Sequence, residues 1–144
     1  MPDPDIGRLL LAAHRAIGSE LLEEMNERGY PDAKPGHSAV FMNIDRRSGT
    51  NLTELARRAR ITKQGMMLVV DDMEERGYVR RVPDPEDSRA KIVRLTAKGR
   101  RYVAEARRSV QAIESRLRRD LGDRGYAEFR ETLDWLANPD QGNS

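Results

Sequence analysis

The sequence predicts a mainly α-helical chain with a small β-hairpin wing: a winged helix-turn-helix between N- and C-terminal helices. Three observations carry that prediction. Apolar residues recur at three- and four-residue steps near both ends of the chain. Two short helical patterns follow each other closely in the middle, and two β-patterned basic segments come directly after them. The 144 residues suit one domain. Within it the pattern predicts terminal helices over 1–30 and 100–138, a winged lobe over 36–99 and a frayed tail over 139–144.

In chain order, Ile6, Leu9, Leu10, Ala13, Ile17, Leu21 and Met25 define an amphipathic helix that Gly29 ends. Pro35-Gly36 is a turn signal, and Ser38 is placed to cap a short helix that turns Val40, Phe41 and Ile44 inward. Ser48-Gly49-Thr50 breaks that helix. Thr53 precedes the next, whose apolar face holds Leu55 and Ala56 and continues through Ala59 and Ile61. Thr62 then caps a second helix with Met66, Val69, Val70 and Met73 on one face, and Gly77 stands where a helix-ending glycine belongs. Two helices this short and this close read as a helix-turn-helix. Tyr78–Val82 and Lys91–Leu95 read as strands on either side of a turn-rich tip. Thr96 caps a long helix with Val103, Ala106, Val110, Ile113, Leu117 and Leu121 along a coiled-coil-like seam. Gly122-Asp123 breaks it, and a last helix carries Tyr126, Phe129, Leu133 and Leu136.

Charge is distributed unevenly. Residues 1–45 carry a net −4, residues 46–101 a net +7 and residues 102–144 a net −1. A basic middle between acidic or neutral ends is the footprint of an anion-binding surface or of a solvated surface with clustered charge, and composition alone does not choose between them. The chain has no cysteine, so disulfides and thiol chemistry are excluded, and with only His14 and His37 as imidazoles a structural zinc is not expected. No cofactor is expected. The first five residues lack the basic-then-apolar pattern of a signal peptide, and no apolar run reaches bilayer length. The expectation is a cytoplasmic protein with no membrane partner. An enzyme is not expected either. Ser38 beside His37 and the Glu23-Glu24 pair are sequence neighbours whose side chains do not face each other, and no glycine-rich phosphate loop is present.

Directly after a helix-turn-helix, a basic hairpin makes a wing that can reach DNA while the second helix enters the major groove. Thr62, Lys63, Gln64 and Met67 lie off the apolar face of that helix, near its start. Gln pairs bidentately with adenine, Lys reaches guanine or phosphate, and an apolar side chain touches a thymine methyl. Arg57, Arg58, Arg60, Arg80, Arg81 and Arg94, with Lys91 on the wing, are candidate phosphate or wing contacts.

The run Leu52–Ala56, then Ile61–Gln64, then Val70–Arg81 resembles the MarR (multiple antibiotic resistance regulator) family, as does Pro83–Lys91 followed by Leu95-Thr96-Ala97-Lys98-Gly99-Arg100. The resemblance covers about residues 50–101. It implies a homodimeric, ligand-responsive repressor whose two winged lobes read a pseudo-palindromic operator. It also implies that Arg89 enters the minor groove from the wing, where narrow A·T-rich grooves favour a cation. Asp87, which a phosphate would repel, is expected to orient the wing by pairing with an arginine. A small organic effector is the implied signal; His14, His37, Phe41 and Met42 are either candidates to line its pocket or ordinary core and surface residues. Leu68 and Gly65 depart from the family pattern, since many members carry a polar or basic residue at the first position. The wide apolar faces of the terminal helices either cover their own chain's core or meet a partner chain; the length of the seam favours the partner.

Overall fold

The computed structural model describes residues 2–142; residues 143 and 144 of the expected tail lie outside the described residues. The element order is α1 (Ile6–Glu27), a 3-10 turn (Pro35–His37), α2 (Ser38–Phe41), β1 (Thr50–Asn51), α3 (Leu52–Ala59), α4 (Lys63–Glu75), β2 (Val79–Pro83), β3 (Lys91–Leu95), α5 (Ala97–Ala137) and a second 3-10 turn (Pro139–Gly142). The chain divides into two compact units, Met1–Arg107 and Arg108–Ser144.

The first unit holds the winged lobe. Asp5 caps α1 by accepting the Arg8 amide at 2.8 Å, and Gly29, at φ 107°, lets the chain leave the helix. The α1 seam changes character along its length. Met25 is fully buried in the lobe core and Leu21 and Leu22 pack against it, whereas Ile6, Leu9 and Ile17 are exposed. The last turns of α1 are therefore lobe structure, and only its first turns remain as an arm. Ser38 does not act as a cap: its hydroxyl donates to the Pro35 carbonyl at 2.9 Å and tightens the 3-10 turn. The cap of α3 is Asn51, whose side-chain oxygen accepts the Glu54 amide at 2.8 Å. That leaves Thr53 inside the helix.

Asn51 follows Thr50 in a third, two-residue strand, and the antiparallel sheet has the order β1-β3-β2. Gly49, at φ 74°, permits this pairing, since a Cβ there would lie 2.6 Å from the Val93 carbonyl. Val79, Val93 and Leu95 turn inward from the sheet onto Leu55, Met66, Val70 and Met73. Three of the four tyrosines join Phe41 above this layer. Tyr102 stacks on Phe41 at 4.5 Å and meets Tyr30 and Tyr78 edge-on at 5.2 and 5.5 Å. Such pairs add about 1 kcal/mol each beyond area burial.

The Leu95–Gly99 segment locks α5 to the lobe. The Thr96 hydroxyl accepts the Gly99 amide at 3.1 Å, capping α5, and donates to the Gly77 carbonyl. The Lys98 ammonium bonds the Arg76 carbonyl at 2.8 Å and lies 4.3 Å above the Tyr78 ring. It also reaches Asp32 at 3.2 Å, and Asp32 accepts the Tyr78 hydroxyl at 2.7 Å. Burial, reinforced by that carboxylate, pushes the Tyr78 hydroxyl well above its ordinary pKa. Gly99 is buried, and a Cβ there would lie 2.2 Å from the Tyr78 carbonyl oxygen. Gly99→Ala should therefore force backbone apart and lower stability by about 3 kcal/mol. Thermal unfolding measures this; an unchanged midpoint would show that α5 does not need the close approach.

The second unit consists of the remainder of α5 and the closing turn. Gly122, at φ 75° and ψ 162°, breaks the helix within it. Tyr126 and Ile113 are buried, and the Arg118 and Arg130 guanidiniums lie 5.1 and 6.0 Å from the Tyr126 ring centroid. Leu121, Phe129, Trp135 and Leu136 are exposed.

Candidate nucleic-acid interface

The expected recognition helix is α4. Thr62 caps it, its hydroxyl accepting the Gly65 amide at 3.0 Å. That contact occupies Thr62 as a cap and explains Gly65, where a Cβ would lie 3.1 Å from the same hydroxyl. Lys63, Gln64 and Met67 are exposed on the first two turns, while Met66, Val70 and Met73 anchor the opposite side. The unpaired amides of this helix start favour an anion beside it.

Arg60 closes α3 in the left-handed region, at φ 57° and ψ 40°. It is the only non-glycine residue among the described ones with positive φ. A residue with a Cβ pays about 1–2 kcal/mol in this conformation, and glycine avoids that cost. A cation kept at a strained turn between the two helices, exposed and without an ion pair among the described residues, fits a side chain retained for an external contact. Arg60→Gly should raise stability by about 1 kcal/mol while weakening DNA affinity and flattening its salt dependence. Thermal unfolding and a salt titration read the two effects; a loss of stability, or unchanged binding, would contradict this role.

The other arginines divide by their partners. Arg57 and Arg58 both bond Glu54, and Arg58 also donates to the Asn43 carbonyl at 2.8 Å. The Arg57 and Arg58 hydrogen bonds hold the Glu54 carboxyl at a pKa of about 2. Arg81 alternates with Arg80 along β2, so it shares the inward face with Val79. It pairs there with Asp71 and Glu74 of α4, and its charge is neutralised within the chain. Arg80 faces outward and stands opposite Arg94 across the hairpin, a like-charge pair that favours an anion between its members. Arg94 is half-buried and donates to the Arg47 carbonyl at 2.7 Å.

The wing tip is built by backbone bonds. Asp84 and Ala90 close it with an amide-to-carbonyl bond of 3.1 Å. The Asp87 carboxylate accepts the Arg89 amide at 3.0 Å, so its contact with an arginine is through the main chain and not the guanidinium. Arg89 and Lys91 are exposed and make no ion pair among the described residues.

The four residues expected around an effector do not form one cavity. His14 and Met42 are on the surface, and Met42 is 77% exposed. His37 is buried in the lobe: its Nε2 meets Asp72 at 2.7 Å, and its Nδ1 accepts the Lys34 amide at 3.2 Å. A neutral ring with its proton on Nε2 satisfies both contacts. The His37 and Arg76 bonds hold the Asp72 carboxyl at a pKa of about 2. Phe41 belongs to the aromatic cluster. None of these four residues lines the clefts around Arg118 and Tyr126 in the second unit. Ile61, expected on the apolar face of α3, follows the end of that helix and is 40% exposed, and Leu68, which departs from the family pattern, is 67% exposed on α4.

The arrangement defines a winged helix-turn-helix whose second helix and wing both present cations. Among the described residues no helix is long and apolar enough to cross a membrane. A sequence model of the MarR family matches residues 31–90. An HTH-type transcriptional repressor of Mycobacterium bovis is 32% identical over 90 residues, 62% of this chain and 65% of its own length. The chain spans 60% to 65% of the length of the first curated relatives it matches. Among solved structures, the transcriptional repressor CouR bound to a 23-mer DNA duplex is similar at TM-score 0.72 and 27% identity, covering 92% of each chain. CouR from Rhodococcus jostii RHA1 bound to p-coumaroyl-CoA is similar at TM-score 0.69 and 26% identity, covering 94% of this chain and 93% of its own. Residues 31–90 thus resemble the MarR family, and the chain shares the winged helix-turn-helix fold of the similar solved structures.

Proposed function

We infer that the chain is a sequence-specific, double-stranded-DNA-binding transcriptional regulator of the cytoplasm. It acts as a homodimer on a pseudo-palindromic operator, as a repressor released by a small organic effector. One observation carries the reading: Lys63 and Gln64 at the exposed start of α4 lie on the same fold as Arg89 and Lys91 of an exposed wing, and the similar CouR structure holds a DNA duplex. The repressor name of the mycobacterial relative and the p-coumaroyl-CoA held by the second CouR structure support repression and a small organic effector. Exposed apolar residues on α1 and on the second unit support a partner chain. Lys63, Gln64 and Met67 contact bases, Thr62 sets the helix start, and Arg89 and Lys91 engage the backbone and minor groove. Arg57, Arg58, Arg60, Arg80 and Arg94 face phosphate. Asp87 holds the wing in shape. The purified protein, mixed with sheared genomic DNA, should recover fragments sharing one inverted repeat; uniform recovery of all fragments would contradict sequence-specific regulation.

A further inference from the structure

We propose that Leu68, with its neighbour Met67, reads the 5-methyl groups of thymine on the floor of the major groove and so sets sequence preference. The proposal rests on the DNA-binding reading above. Leu68 is 67% exposed and Met67 43%. Leu68 stands one helical turn after Gln64 and opposite the buried face of Met66, Val70 and Met73. It is therefore at the centre of the outward face of α4, where a groove-docked helix meets base edges.

An apolar tip this exposed is unfavourable in water. Exposed cations flank the same face in the fold: Arg60 and Lys63 come eight and five residues earlier, and Arg89 and Lys91 are exposed on the wing of the same unit. An apolar protein partner gains nothing from such a rim, whereas DNA matches both parts. Phosphates meet the cations, and the thymine methyl is the one apolar group that base pairs present in the major groove. The next residue along that face, Asp71, is already paired with Arg81 and does not repel the duplex as a bare carboxylate would. Gln64 supplies a bidentate hydrogen-bonding contact, and Leu68, about 6 Å further along the helix, falls on a neighbouring base pair. The expected half-site therefore holds an adenine read by Gln64 with one or two thymines next to it, read by shape and apolar contact.

The test uses a duplex selected from a random-sequence pool by the full-length protein. Each thymine in turn is replaced by deoxyuridine, which removes only the methyl group, and affinity is followed by fluorescence anisotropy. The wild type should lose about fourfold in affinity for each contacted methyl, the worth of burying one such group. Leu68→Ala should bind the thymine duplex more weakly by a similar factor, with the salt slope unchanged, and should no longer distinguish thymine from deoxyuridine at those positions. Because Leu68 is exposed, the variant folds; Leu68→Met should restore much of the discrimination. If the wild type binds every deoxyuridine duplex as tightly as the parent, or if Leu68→Ala keeps the full penalty, the proposal is overturned while DNA binding stands. If no duplex is enriched or bound at any salt concentration, the DNA-binding reading itself fails, and this inference with it.

Discussion

Leu10→Glu with Ile17→Glu should convert the protein to a monomer and lower operator affinity by about 10²–10⁴-fold. The two positions lie seven residues apart on α1, on one stripe, and are 38% and 41% exposed. The stripe runs into the lobe core at Met25, so the same helix face is lobe structure at one end and uncovered at the other. Leu121, Phe129, Trp135 and Leu136 form a second uncovered apolar set. A symmetric partner chain would cover both sets twice over. Surface changes of this kind cost the lobe about 0.5 kcal/mol or less, so the winged fold should persist. The large effect comes from linkage, because two lobes on one duplex bind as a single multivalent unit. Sedimentation should show about twice the chain mass for the wild type and the single mass for the variant. A wild type that sediments as a folded monomer, or a variant that still dimerises, would contradict the assignment of these faces.

Arg89→Ala and Gln64→Ala should weaken binding by different routes. Arg89 is exposed on a wing tip that Asp87 and the Asp84–Ala90 bond hold in shape, and no carboxylate pairs with its guanidinium among the described residues. Its loss should lower affinity and flatten the salt slope by about one unit for each wing, with preference altered only at A·T-rich flanks. Gln64 makes its contribution at base edges. Its loss should cost roughly 1–3 kcal/mol on the selected operator, relax one base pair per half-site and leave non-specific binding nearly unchanged. The pair of variants, titrated on operator and scrambled duplex, separates affinity from sequence choice. An unchanged Arg89→Ala slope would remove the wing from the interface.

The elements that span several turns were legible in the sequence because their periodicity is repeated. Gly29, Gly77 and Gly122 marked three ends, each at positive φ. The winged layout followed from order alone. What escaped was local or tertiary. A two-residue strand has too few positions to show alternation, so β1 emerged only from its pairing with β3. Asn51 was hidden by Thr53 although the Asn51–Glu54 spacing is itself a capping signal. Ser38 lost its capping role to the preceding 3-10 turn. In the site, charge was visible and partners were not. Arg80 and Arg81 are equivalent in composition, but strand alternation sends one outward and the other onto Asp71 and Glu74. The strain at Arg60 is a backbone property that its side chain does not announce. Of the four residues weighed for an effector pocket, His37 and Phe41 lie in the lobe interior and His14 and Met42 on the surface, the alternative placement the sequence left open.

The most direct test of the account is the affinity of the full-length protein for its selected duplex and for a scrambled duplex of equal length, measured across a range of salt concentrations. The account predicts that the selected duplex binds at least about 10³-fold more tightly at physiological salt, with affinity for both falling steeply as salt rises. Equal affinity for the two duplexes, or binding that ignores salt, would contradict it.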